Sequence, residues 1–238
     1  MRAAQVLHLL LLLFSASSFV PGVSAQALSK RIDNVPMYGQ PELQRPEEFK
    51  LQDEKFIAEA VAGMKTREEA SNAWWAQAEE FLSRRNYDLA MRRYNQAWLL
   101  NPNSFKPYWG FARVLLEHND LRGAMAQFDR AVALVDDKVQ EPALLTDAAS
   151  IQIAIAETQK NADDRTGSFS KADRMYKRAI ELDPEYGNAY KRYAMSLYSQ
   201  RDFVNAWKIT KEALKRSNTK VPPGFLNALR QEMAEPVN

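Results

Sequence analysis

Apolar residues recur along most of this chain at intervals of three and four, the spacing of one face of an α-helix. From Glu47 onward, Phe49, Phe56, Ile57, Ala60, Val61 and Met64 share one stripe, with Lys50, Asp53, Glu54 and Lys55 off it, which predicts a helix of about four turns with one face in solvent. The stretch "TREE" follows, a capping box in which the Thr66 hydroxyl accepts from the Glu69 amide while the Glu69 carboxylate reaches back, so a second helix is expected to start there. Beyond it the pattern itself repeats. Trp74, Ala78, Phe81, Ala90, Tyr94 and Ala97 are each followed 34 residues later by Tyr108, Ala112, Leu115, Ala124, Phe128 and Ala131. The same offset links Ala172 and Ala179 to Ala206 and Ala213. Each period holds two amphipathic helices, and "RRNYD", "EHNDL" and "SQRDF" supply the turns between them in the three clear cases. The small alanines let paired helices approach closely, and the rings and leucines fill the space between neighbours.

This pattern resembles the tetratricopeptide repeat (TPR) family, over roughly residues 71–219. The first unit matches nearly in full, with Trp74, Ala78, Phe81, Tyr87, Ala90, Tyr94, Ala97 and a closing Pro102. The second lacks the closing proline, having Asp136, and the fourth has Asn218 there and Thr210 where a ring is usual. In the third unit Ala131 and Ala179 stand 48 residues apart rather than 34, so fourteen residues have been inserted. Its first helix is expected to begin at Glu141 and Pro142 and to run long, through Ile153, Ile155 and Ala156. The rest of the insertion is expected as the loop "KNADDRTGSFS". The implied fold is an all-α solenoid of helix-turn-helix units at 71–104, 105–138, 139–186 and 187–220, within a repeat region of 66–220. A helix at 47–65 is expected to cap its N-terminal end, and one within 221–238, carrying Phe225, Leu226 and Leu229, its C-terminal end.

The first 46 residues do not share the period. Arg2, the apolar run "VLHLLLLLF" and the small residues Val23 and Ala25 read as a secretory signal over 1–25, with Gln26 as the mature start and the periplasm or exterior as the destination. The apolar run is shorter than a spanning helix needs, and Pro21 interrupts it, so no membrane span is expected after cleavage. Residues 26–46, with three prolines, read as an extended tether. There is no cysteine, so packing alone must stabilise the chain. Lysine and arginine total 32 against 30 acids, and a net charge of +2 offers no footprint for nucleic acid.

Catalytic chemistry is poorly served. His118, in an inter-helix turn, is the single histidine after the expected signal, so with no cysteine a Cys-His pair is excluded, a Ser-His-Asp triad would need this turn residue as its base, and zinc lacks a ligand set. The adjacent pairs Asp136–Asp137 and Asp163–Asp164 read as solvated loop charge, and a carboxylate-based hydrolase is the remote alternative. No cofactor is expected. The resemblance implies instead a concave groove lined by the first helix of each unit. Residue by residue it places Trp75 and Leu82 there from the first unit, Lys106, Trp109, Arg113 and Leu116 from the second, and Lys191, Arg192, Met195 and Tyr198 from the fourth. Leu145, Ala149 and Gln152 would follow from the third. Trp75 and Trp109 each adjoin a ring expected in the core, Trp74 and Tyr108, and one residue turns a helix by about 100°, so both are expected to face the groove. The alternative for Trp75 is burial under the N-terminal helix. Trp75 and Glu79 stand where chaperone-tail binders of this family carry lysine and asparagine, which argues against that ligand. The expected function is a non-enzymatic scaffold in the cell envelope that binds a protein or peptide partner, with self-association into an assembly as the alternative.

Overall fold

The structure, a computed structural model, describes residues 32–41, 47–136, 138–216 and 219–236. The expected signal segment, and tether residues 26–31 and 42–46, lie outside them. Among the described residues there are ten α-helices, two short 3-10 turns and no strand. These divide into two compact bodies, parted at Asp136 and residue 137.

The first body holds α1 (Glu47–Ala62), α2 (Arg67–Ser83), α3 (Tyr87–Leu100), α4 (Phe105–Glu117) and α5 (Leu121–Leu134). Helix α2 packs on α3 and α4 on α5, and α4 also lies against α2 and α3. The repeat positions explain why: Ala78, Ala90, Tyr94, Ala97, Ala112, Ala124, Phe128 and Ala131 are all completely buried. The approach is close at Gly110, where a Cβ would sit 2.2 Å from the Tyr94 ring. Thr66 caps α2 through the Glu69 amide at 3.0 Å, as the capping box predicts, but the Glu69 carboxylate returns to the Lys65 amide, one residue earlier than expected. The turns between paired helices close on left-handed residues, Arg85 and Asn119 (φ 57° and 60°), after which Asn86 and Asp120 cap the next helix. In each, two amides reach back to the preceding helix, the left-handed ending that satisfies its last carbonyls. Helix α1 caps the stack as expected, Phe56 meeting the Trp74 ring edge-on at 5.4 Å beside Ala60, Ala70 and Leu100.

The tether expectation is corrected over residues 32–41. That segment forms two 3-10 turns, Ile32–Asn34 and Pro36–Gly39, and Met37 and Tyr38 are buried against the first body. The Asn95 side chain of α3 binds its backbone, which outweighs the extended preference of a proline-rich stretch.

The second body holds α6 (Glu141–Thr158), α7 (Ala162–Leu182), α8 (Gly187–Ser199), α9 (Phe203–Leu214) and α10 (Pro223–Glu232). Helices α6 and α7 pair, as do α8 and α9, and α6 also lies along α8. The elongated first helix of the third unit is present, with Pro142 in its first turn. The expected loop "KNADDRTGSFS" is corrected: Asn161 accepts from the Asp163 and Asp164 amides, and the helix starts at Ala162. The insertion therefore lengthens both helices and leaves a turn of about three residues. Helix α10 closes this body with Phe225 and Leu229 fully buried.

Candidate functional site

Helix α4 of the first body lies against α2, and two of the α4 side chains predicted to line an inner face, Lys106 and Arg113, meet α2 side chains one period earlier. Lys106 donates to Asn72 Oδ1 at 2.8 Å, 34 residues earlier, and its ammonium stands 5.3 Å from the centre of the Trp75 ring. Arg113 donates to both carboxylate oxygens of Glu79, again 34 residues earlier, at 2.6 and 2.8 Å, and lies 5.9 Å from the Trp109 ring centre. Glu79 also accepts from the Tyr94 hydroxyl at 2.5 Å. Burial, and next the Glu79 charge, push that phenol well above its ordinary value. Lys106 and Arg113, both on α4, thus each lie near an indole and each bond a polar side chain of α2, Asn72 and Glu79. Trp75, Leu82, Lys106, Arg113 and Leu116 are all partly exposed. The Trp75 indole N–H is buried with no hydrogen-bond partner.

Trp109 departs from expectation. It is 9% exposed and stacks on Phe105 at 6.4 Å, so most of its ring belongs to the core. Phe105 stands four residues before it on the same helix and covers it, a spacing visible in the sequence. The ring that α1 touches is Trp74, through Phe56.

The second body absorbs most of its candidates into structure. Met195 is corrected to a core residue, fully buried in a cluster with Ala149, Ile153 and Phe225. Tyr198 is corrected likewise: it meets Phe225 and Phe203 edge-on at 5.8 and 5.5 Å, because α10 folds back over the face that repeat register leaves open. Arg192 is partly buried and donates to Asp147 and to Ser150 Oγ, both at 3.1 Å. Ser150 in turn meets the buried Tyr176 hydroxyl at 3.0 Å. Lys191 is half-buried, and burial first, then neighbouring Arg192, lower its pKa below the ordinary lysine range. Leu145, Ala149 and Gln152 are buried. On α6, burial raises the Glu157 carboxyl to about 7, partly offset by a hydrogen bond from Ser199.

Among the described residues no cluster of three or more histidine and acidic side chains is placed to hold a metal ion, and no helix is long and apolar enough to cross a membrane. His118 is exposed at the end of α4, its ring edge-on to Tyr87 at 5.7 Å.

No protein-family model matches the chain, and no curated protein matches it either. Solved structures do. A thermophilic TPR protein from Thermus thermophilus is similar over 68% of this chain and 80% of its own, at 17% identity and a TM-score of 0.58. MamA is similar over 73% of this chain and 96% of its own, at 14% identity and a TM-score of 0.50. YrrB, described as a TPR protein with an unusual peptide-binding site, is similar over 74% and 92%, at 13% identity and a TM-score of 0.50.

Proposed function

The chain has the tetratricopeptide-repeat fold, and from that premise we propose that it is a non-catalytic scaffold binding a peptide segment of a protein partner on the α2–α4 face of its first body. The observation that carries this reading is the contact of Lys106, from α4, with the partly exposed Trp75 ring of α2 at 5.3 Å, beside the Arg113–Glu79 pair. Partly exposed Trp75, Leu82 and Leu116 offer apolar contact, and Lys106, bonded only to the neutral Asn72 among the contacts described, offers charge to a carboxylate, while the Arg113 charge is shared with Glu79. An extended or helical peptide with an apolar anchor and an acidic group fits that chemistry. The peptide-binding site in the description of YrrB lends support, as a property of that protein. The carboxylate of such a ligand competes with Asn72 for Lys106.

The test is selection from a peptide-display library on the whole protein, repeated with Lys106→Glu. Enrichment of acidic, apolar-anchored peptides that the charge reversal abolishes supports the reading. Equal enrichment by both removes the α2–α4 face from it. A chain that selects nothing but sediments as an oligomer with rising concentration favours self-assembly instead. The signal-like residues 1–25 lead us to place this scaffold outside the cytoplasm. The mass of the mature chain checks this: a start at Gln26 supports export, and a start at Met1 refutes cleavage.

A further inference from the structure

The second-helix layer of the first body already holds a peptide, the chain's own. Asn95, completely buried in the middle of α3, takes three backbone groups of the N-terminal segment. Its Oδ1 accepts from the Tyr38 amide at 3.2 Å, and its Nδ2 donates to the carbonyls of Asp33 and Val35 at 3.0 and 2.8 Å. One turn earlier on α3, Arg92 donates to the Asn34 side chain at 3.1 Å and stands 3.3 Å from the Asp33 carboxylate. From α5, Arg130 points a guanidinium N–H at the Met37 sulfur. Asn34, Met37 and Tyr38 are 3%, 7% and 7% exposed.

Two features distinguish this from an ordinary loop. Helix side chains hold the segment through three of its backbone groups and through the Asp33, Asn34 and Met37 side chains, as a receptor holds a folded-back ligand. In addition Met37 and Tyr38 are consecutive left-handed residues, φ 52° and 54°, a conformation that side chains with a Cβ disfavour. The site, not the segment's own preference, imposes that shape.

We propose that the face formed by Arg92, Asn95 and Arg130 is a peptide-binding site, distinct from the α2–α4 face, and that residues Asp33–Tyr38 occupy it as a ligand held in cis. The ligand class is a short segment with an acidic residue, then asparagine, then Pro-Met-aromatic, as in "DNVPMY". Tethering gives the internal copy an effective concentration in the millimolar range for a short linker, so a free peptide enters only when the segment is released.

The experiment uses the full chain with a site-specific protease sequence placed within residues 42–46. After cutting, a dye-labelled peptide of residues Asp33–Gln40 is titrated by fluorescence anisotropy, with helicity at 222 nm recorded before and after. The expected result is unchanged helicity and saturable binding to the cut protein. Affinity should fall at least tenfold when the peptide carries Met37→Ala and Tyr38→Ala, and the uncut protein should show no binding at the same concentrations. Placing the substitutions in the peptide leaves the protein's fold unaltered. No binding to the cut protein up to roughly millimolar peptide, or a loss of helicity on cutting, overturns the proposal, the second because the segment is then part of the core. Equal binding by cut and uncut protein overturns it too, since the site would not be filled in cis. Selection by the α2–α4 face is measured separately with Lys106→Glu, so either assignment can fail alone.

Discussion

Replacing Glu79 by glutamine tests whether the α2–α4 face is an energetic unit as well as a geometric one. The carboxylate takes two bonds from Arg113, at 2.6 and 2.8 Å, and one from the fully buried Tyr94 at 2.5 Å. Glutamine keeps an acceptor oxygen and nearly the same volume but removes the charge. Hydrogen bonds to charged groups contribute about 1.5–3 kcal/mol against about 1 kcal/mol for neutral ones. The Glu79 and Arg113 side chains are 27% and 32% exposed, which pulls the difference toward its low end. The expected cost is therefore about 1–2 kcal/mol. Urea unfolding followed by tryptophan fluorescence reads it, since Trp74, Trp75, Trp98 and Trp109 all lie in the first body. Crossed with Arg113→Ala in a double-mutant cycle, the pair should couple by at least about 0.5 kcal/mol, beyond the scatter of independent sites. There is also a functional sign. With Glu79 neutral, Arg113 loses that counter-charge, so an acidic peptide selected on this face should bind Glu79→Gln about 2–5 times more tightly, equivalent to roughly 0.5–1 kcal/mol. Strict additivity in the cycle, or weaker binding of the acidic peptide, refutes the reasoning.

Trp109→Ala should cost about 3–5 kcal/mol, the loss typical of a buried ring; a cost below about 1 kcal/mol in urea unfolding would return Trp109 to the open face. Gly110→Ala should lower the melting temperature, because overpacking against the Tyr94 ring costs about 1–3 kcal/mol and outweighs the roughly 1 kcal/mol gained in helix propensity. Burial raises Glu157 from 4.5 to about 7 in the folded chain, so the folded state holds its proton more tightly than the unfolded state does. That contribution is complete below pH 4.5 and is lost as pH rises through about 7. Discounted for partial exposure it amounts to about 1–2 kcal/mol. Glu157→Gln should flatten the stability difference between pH 5 and 8 by that amount, and an unchanged slope in urea unfolding would contradict it.

The repeat itself was legible because its partners recur at a fixed offset. Alanines 34 residues apart are buried for one reason, the close approach of paired helices, and a single reason repeated leaves a period in the sequence. The neutralisation of Arg113 by Glu79 was equally open to reading, since the two also stand one period apart. So was the covering of Trp109 by Phe105, four residues earlier, although position beside Tyr108 pointed the other way. Other partners lie at offsets the period does not contain. Asp147 reaches Arg192 across 45 residues because the insertion breaks the register, and Phe225 reaches Tyr198 from a helix outside the repeats. Asn95 holds the N-terminal segment across 57 to 62 residues, from a stretch without any helical period. Its one sequence signal was a polar side chain between Tyr94 and Ala97, on a helix face that packing otherwise reserves for apolar residues. A buried asparagine must find donors and acceptors, and where the repeat supplies none, something outside it must. At Asn95 and at Tyr198 the departure from the period marks a place where a repeat helix touches a segment outside the repeats, and at Asn95 that segment is the one proposed as a ligand held in cis.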